Sequence, residues 1–321
     1  MKLNLTSMMM TMMILLSTTI TLSSNNMMMA WMSMEMNLIV FLPMMKKSNK
    51  MNEQSMKYLI IQSISSTMIM TAMIMNSISE YPLSESILIM SGLLTKMGIM
   101  PFHLWLPPMM QMSSWNICMM MSTIQKITPT IMINQMTTMK LMTPSLILSM
   151  TISPIVGMTQ TSMKKMLAYS SISNSPMMIM ATFNSKLQMM LLFTSYSTMT
   201  ILLMKTLKEM NIMYINQMNN KSQKTKMIIS LAMISMSGMP PTTGFMMKWM
   251  IMQTSVNYSI LLTSAMLFSS LISTFMYLNS NLPFMMMTMK KKQKKEKKNN
   301  KFLIILANLI GIPMAMLTNL S

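Results

Sequence analysis

Apolar stretches of about 20 residues, built from Met, Leu and Ile with Ser and Thr interspersed, alternate with short breaks carrying Lys, Asn, Glu or Pro, the spacing of bilayer-crossing helices. Read with that window, the chain divides into about eleven apolar segments. They cover residues 4–23, 27–45, 56–77, 85–106, 115–136, 141–162, 167–184, 187–208, 227–250, 257–279 and 302–320. No stretch between them is long enough for a soluble domain. The expected fold is therefore all-α, a single polytopic membrane domain over residues 1–321.

Charge placement tests that reading independently. If the segments alternate in direction, one side of the membrane collects Lys2, Lys46, Lys47, Lys50, Lys57, Lys164, Lys165, Lys208, Lys221, Lys224, Lys226 and the run from Lys290 to Lys301. The other side holds Lys140 and Lys186, with Glu80 and Glu85. Lysine excess marks the cytoplasm-equivalent side, so the amino terminus is expected there and, with an odd helix count, the carboxyl terminus opposite. The run at 290–298 reads as a solvated loop that anchors topology, with binding to an anionic lipid or an acidic subunit as the second reading.

Composition narrows the class. Hydrophobic residues make up 52% and charged residues 10%, against roughly 25% charged in soluble domains, so a soluble globule is excluded. A net charge of +19 raises nucleic-acid binding, but the lysines are spread along a hydrophobic chain without a recognition module, and no nucleic-acid partner is expected. The chain has 63 Met and neither Arg nor Asp. That bias resembles AT-rich mitochondrial coding with an extra Met codon, and Met replaces Leu or Ile as a flexible apolar filler. The expected location is the mitochondrial inner membrane, with the matrix as the lysine-rich side and the intermembrane space opposite. The single Cys118 and single His103 supply neither an iron–sulfur cluster nor a two-histidine haem, so no cofactor or metal is expected in this chain.

The candidate chemistry sits where charges enter apolar segments. Between Gly92 and Pro108 the fourth segment carries Lys96 and then Gly98, Pro101, His103 and Pro107. A lysine near the middle of a membrane helix costs roughly 2.5–3.5 kcal/mol, and backbone freed by a Gly/Pro break must be buried in protein or line a cavity. Lysine and break together point to an ion path. The ninth segment repeats the device with Gly238, Pro240, Pro241, Gly244 and Lys248. Corresponding broken helices in two halves point to an inverted-repeat transporter, here with five-helix units, residues 1–138 and 139–280, followed by a lysine-rich loop at 281–301 and a final helix at 302–321. Glu35, in a third apolar context, is expected to pair with Lys96 across the bundle, since a buried ion needs a partner. Lys126 has no acidic residue in its own segment and is the group expected to exchange protons. Lys205 is a further relay candidate, one turn from Lys208 and able to snorkel to the interface. His103 reads first as a structural histidine near the break.

Five ordered stretches carry a resemblance: Glu35-Met-Asn; Lys96-Met-Gly-Ile-Met-Pro-Phe-His-Leu-Trp; Gln125-Lys126-Ile-Thr-Pro; Gln160-Thr-Ser-Met-Lys-Lys-Met-Leu-Ala-Tyr-Ser-Ser-Ile; and Gly238-Met-Pro-Pro-Thr-Thr-Gly-Phe-Met-Met-Lys248-Trp. Over nearly its whole length the chain resembles the antiporter-like membrane subunits of mitochondrial NADH:ubiquinone oxidoreductase, respiratory complex I, and its length fits the smallest of the three. The resemblance implies a proton-translocating subunit without a redox centre of its own. NADH, FMN, iron–sulfur clusters and ubiquinone would belong to the assembled complex, and the neighbouring membrane-arm subunits would be its partners. It also implies that Glu35, Lys96, Lys126 and Lys248 are the proton-channel groups, the Glu35–Lys96 pair tuning Lys126, which passes a proton on to Lys248. Two positions depart from the family. Pro108 stands where a glutamate is usual and Asn174 where a histidine is frequent, so neither is assigned a proton-carrying role. The alternatives are a free-standing cation/proton antiporter and a structural membrane-arm scaffold without a proton path.

Overall fold

The computed structural model describes residues 5–45, 49–78, 82–220, 223–240 and 242–286. Residues 287–301 of the expected lysine-rich loop, the expected final helix and Lys2 lie outside the described residues. The chain forms two compact units, one reaching to Leu146 and the other starting at Ile147.

The first unit contains α1 (Leu5–Ser23), α2 (Met27–Met45), α3 (Asn49–Ile78), α4 (Pro82–Met97), α5 (Leu106–Met112), α6 (Trp115–Ser122) and α7 (Ile124–Met136). Helix α8 (Met139–Met158) carries the chain across the boundary between units. The second unit continues with α9 (Met163–Asn184), α10 (Lys186–Glu209), a 3₁₀ turn (Ile215–Asn220), α11 (Gln223–Ser237), α12 (Thr243–Ser255) and α13 (Ile260–Met286). Lipid cannot satisfy stray polar groups, and this sequence is rich in hydroxyls. The helices solve that locally: Ser17 donates to the Ile14 carbonyl, Ser65 to Gln62 and Thr182 to Ile179, each bond 2.6–2.7 Å long. A hydroxyl returned to the preceding turn counts, in effect, as an apolar surface.

In the first unit α2 packs on α1, α3 and α7, and α4 on α3 and α7. In the second, α9 is buried on nearly all sides, because Ala168, Ser170, Ser171, Ser173 and Ser175 let neighbouring backbones come close. Exposed apolar residues such as Leu16, Ile39, Leu267 and Leu271 cover the outer faces of α1, α2 and α13.

Among the described residues, six helical stretches are long and apolar enough to cross a membrane: Leu5–Ser23, Met27–Met45, Glu53–Asn76, Met139–Met158, Lys186–Glu209 and Ile260–Leu282. Several other expected segments are interrupted. The fourth, expected at 85–106, ends as a helix at Met97, because Gly98 takes φ 68° and Pro101 follows. The fifth, expected at 115–136, divides at Thr123, whose φ −115° and ψ −88° are not helical. The ninth divides at Gly238, with φ 81°.

Candidate functional site: lysine-lined cavities beside broken helices

Lys96 lies in the last turn of α4, immediately before the Gly98 break. The chain then reverses through Pro101 and His103, whose Nδ1 is 3.3 Å from the Pro101 carbonyl. The Trp105 indole returns to donate at 3.0 Å to the Thr95 carbonyl, which also takes a tightened, i+3 bond from the Gly98 N–H at 3.2 Å. Lys96 Nζ lies 3.1 Å from Glu35 Oε1 on α2, with side chains 6% and 24% exposed. The expected pair across the bundle is present.

Tyr58 on α3 packs between Phe41 and Trp105, with ring centroids 5.6 and 5.8 Å away. Gln125, in the first turn of α7, donates from Nε2 to Asn37 Oδ1 at 2.9 Å. Its neighbour Lys126 is buried. Lys96, Lys126, Asn37, Tyr58, Gln62 and Gln125 line one cavity of about 30 Å³, walled on its apolar side by Met34, Leu38, Met97, Leu106 and Met121. That volume holds roughly one or two water molecules. Gln62 Nε2, buried on the cavity wall, has no protein partner among the described residues, which is the kind of group that an internal water satisfies.

The second unit builds a different seat. Gly238 turns α11 aside with a left-handed φ, so the Ser237 carbonyl is no longer taken up by a following helical turn. Lys248 on α12 donates to that carbonyl at 2.9 Å and to Ser273 Oγ on α13 at 3.1 Å. The lysine stem runs along the bare face of Gly238: a Cβ there would sit 3.1–3.2 Å from Lys248 Cδ, Cε and Nζ. The C-terminal end of a helix, where carbonyl dipoles converge, favours a cation. Lys248 also lines a cavity of about 50 Å³ with Asn174, Ser195, Tyr196, Ser235 and Thr243, whose buried hydroxyl has no protein partner among the described residues. Asn174 thus lines the same cavity as Lys248. Pro108 is exposed in the first turn of α5.

Lys96 and Lys126 line one cavity, with Glu35 joined to it through its ion pair with Lys96, and Lys248 lines another, whereas Lys205 is exposed on α10 and lines neither. Lys164 and Lys226, read from the sequence as loop charges, are buried in the first turns of α9 and α11. Sequence reasoning did not single out Asn37, Gln62, Gln125, Tyr58 or Ser273. A neutral amide close to a charge inside an apolar segment, as in Glu35-Met-Asn37 and Gln125-Lys126, was an available signal for two of them. Nothing distinguished Ser273 from the other serines.

The family described as NADH:quinone oxidoreductase/Mrp antiporter, transmembrane, matches residues 24–275. NADH-ubiquinone oxidoreductase chain 2 of Anopheles gambiae is 34% identical over 263 residues, covering 78% of this chain and 77% of the relative. The protein of the same name from Locusta migratoria is 31% identical over 238 residues, covering 71% and 70%. Among solved structures, respiratory complex I from Thermus thermophilus with bound aureothin contains a chain that matches with a TM-score of 0.85 at 17% identity, over 99% of this chain and 79% of that one. A chain of the Mrp complex from a Dietzia species matches with a TM-score of 0.72 at 12% identity, over 84% and 58%. At such identities the structural likeness speaks for the fold, while the sequence match speaks for descent. This all-helical membrane chain belongs to the NADH:quinone oxidoreductase/Mrp antiporter family.

Proposed function

We propose that the chain is a core membrane-arm subunit of a proton-pumping NADH:ubiquinone oxidoreductase, an antiporter-like channel driven by electron transfer in other subunits. The observation that carries this reading is that Lys96, ion-paired with Glu35, shares one cavity with Lys126, in a chain whose relatives are NADH-ubiquinone oxidoreductase chain 2 proteins. The finer architecture belongs to the same proposal: one membrane domain of about eleven spanning helices in inverted five-helix repeats. The amino terminus would lie in the mitochondrial matrix and the carboxyl terminus in the intermembrane space. Its partners would be the neighbouring antiporter-like subunits and lipid.

The energetics fit. Moving one charge against 100 mV takes roughly 2.3 kcal/mol, and breaking a fully buried ion pair by removing one partner costs about 3–5 kcal/mol, less where one member is partly exposed, as Glu35 is. Opening or closing a single Glu35–Lys96 pair is therefore of the scale needed to drive a proton. In this scheme Glu35 balances Lys96 in one state and releases it in the other, and the changed charge drives a proton off Lys126 into cavity water. Lys248 carries it onward and out. Lys205 remains a candidate at an interfacial position.

The electron carriers belong elsewhere in the complex. Cys118 is buried against Ser113 and the Met110 carbonyl, and His103 lies beside Pro101. One thiol and one imidazole so placed do not make a ligand set for an iron–sulfur cluster.

Likeness to the Mrp complex supports a second reading, a cation/proton antiporter subunit. Co-purification with a flavin- and iron–sulfur-containing arm separates the two. Lys126→Met, which keeps an apolar shape and removes the exchanging group, is expected to assemble while losing much of its pumping. Unchanged proton output per electron would make Lys126 structural and would favour the scaffold. Protease treatment of mitoplasts is expected to spare residues 281–301; cleavage there would overturn the proposed orientation.

A further inference from the structure

We propose that the Asn37–Gln125 amide bond is a positioning bridge that fixes Lys126 relative to the Glu35–Lys96 pair, an inference that rests on the proton-channel reading above. Asn37 lies two residues beyond Glu35 on α2, and Gln125 immediately precedes Lys126 on α7. Residues two apart on a helix face different directions. Helix α2 accordingly uses Glu35 to hold Lys96 of α4 and Asn37 to hold Gln125 of α7, at 3.1 and 2.9 Å. One rigid helix thus spaces both contacts.

The start of α7 is in need of such a fix. Thr123 leaves helical geometry, and although its hydroxyl donates to the Met119 carbonyl at 2.7 Å, the α6 ladder does not run uninterrupted into α7. The rotation of the turn that carries Lys126 is therefore set by contacts outside that ladder, and the Gln125 amide supplies one. Asn37 is 2% exposed, so the bond forms away from bulk water. Interhelical side-chain bonds stabilise membrane bundles only weakly. Its effect on placement is thus expected to exceed its effect on assembly.

Reciprocal exchange tests the bridge in the assembled complex. Asn37→Gln lengthens one arm and Gln125→Asn shortens the other, while the double exchange restores the combined reach. Each single exchange is expected to lower proton-translocating turnover about fivefold, the factor set by the net worth of one hydrogen bond. Complex yield and thermal stability should stay unchanged. The double exchange should recover turnover to within about twofold of the parent. Normal turnover in both single variants, or losses that multiply in the double, would overturn the bridge. If Asn37→Gln overpacks and prevents assembly, Asn37→Ser provides the same readout, and unchanged turnover there counts against the proposal. Lys126→Met is run alongside. If it pumps normally, the proton-channel reading fails; if it is impaired while the amide variants are normal, only the bridge fails.

Discussion

Lys96 and Lys248 both stand beside glycine-induced helix breaks, yet their ammonium groups are held in opposite ways. Lys96 faces a carboxylate on another helix. Lys248 faces a backbone carbonyl and a hydroxyl, and from Ile147 to Met286 the sequence contains one acidic residue, Glu209, which is exposed. A salt bridge holds two charges hostage to each other, whereas neutral acceptors leave no opposite charge uncompensated when the lysine gives up its proton. The first arrangement suits a group whose charge state is switched by a partner, and the second suits a group that loads and unloads without stranding a charge.

Variants that remove one member of each arrangement should separate most widely. Glu35→Gln leaves the Lys96 charge uncompensated and is expected to cost up to the about 3–5 kcal/mol of a fully buried pair, reduced by the partial exposure of Glu35, seen as lower complex yield and a lower melting temperature. The double variant Glu35→Gln with Lys96→Met should cost less. Simple additivity of the single effects in that cycle would mean that the residues do not interact, and the contrast with Lys248 would collapse.

Lys248→Met should cost about 1–3 kcal/mol, the price of under-satisfied acceptors, and abolish most pumping while the complex still assembles. Ser273 keeps a role after the change, since its hydroxyl already donates to the Ser270 carbonyl at 2.9 Å. A loss of assembly as severe as that of Glu35→Gln would break the comparison.

The glycines sharpen it. Gly98→Ala and Gly238→Ala each force a side chain into left-handed backbone, with an expected penalty of about 1–2 kcal/mol. The new methyl at 98 meets Leu106 and Trp105, whereas at 238 it meets the head of Lys248. Similar melting shifts are expected, with the larger fall in pumping for Gly238→Ala. Equal pumping would show that the Gly238 turn does not govern the lysine. The smallest effect is expected of Ser273→Ala, which removes one acceptor from Lys248 at about 0.5–1.5 kcal/mol; measured pumping should fall modestly, with the Ser237 carbonyl still in place.

What the sequence disclosed, and what it hid, follows from the same chemistry. Charges in apolar segments and Gly/Pro breaks are rare and carry a high energetic penalty, so Glu35, Lys96, Lys126 and Lys248 stood out, and the Glu35–Lys96 pair followed from the need of each for a partner. The division between α6 and α7 was invisible because Thr123 is neither glycine nor proline. Ser273 was hidden by its surroundings: in helices where most hydroxyls bond the preceding turn, a serine that also receives a lysine looks like all the others. Lys164 and Lys226 misled in the other direction, since lysines at segment ends read as solvated yet here are buried. Partners that lie across the bundle, such as Asn37 and Gln125, depend on helix rotation, which periodicity alone does not set when Met, Ser and Thr occupy every face.

The Gly238 turn has a mechanical corollary. Because the Lys248 stem lies along the glycine and its head is tied to the last carbonyl of α11, the side chain spans the joint between two half-helices like a strut. The bend between α11 and α12 and the location of the ammonium are thereby coupled, with Ser273 of α13 as the second anchor. Opening the joint would draw the charge off its carbonyl, and drawing the charge away would in turn loosen the joint.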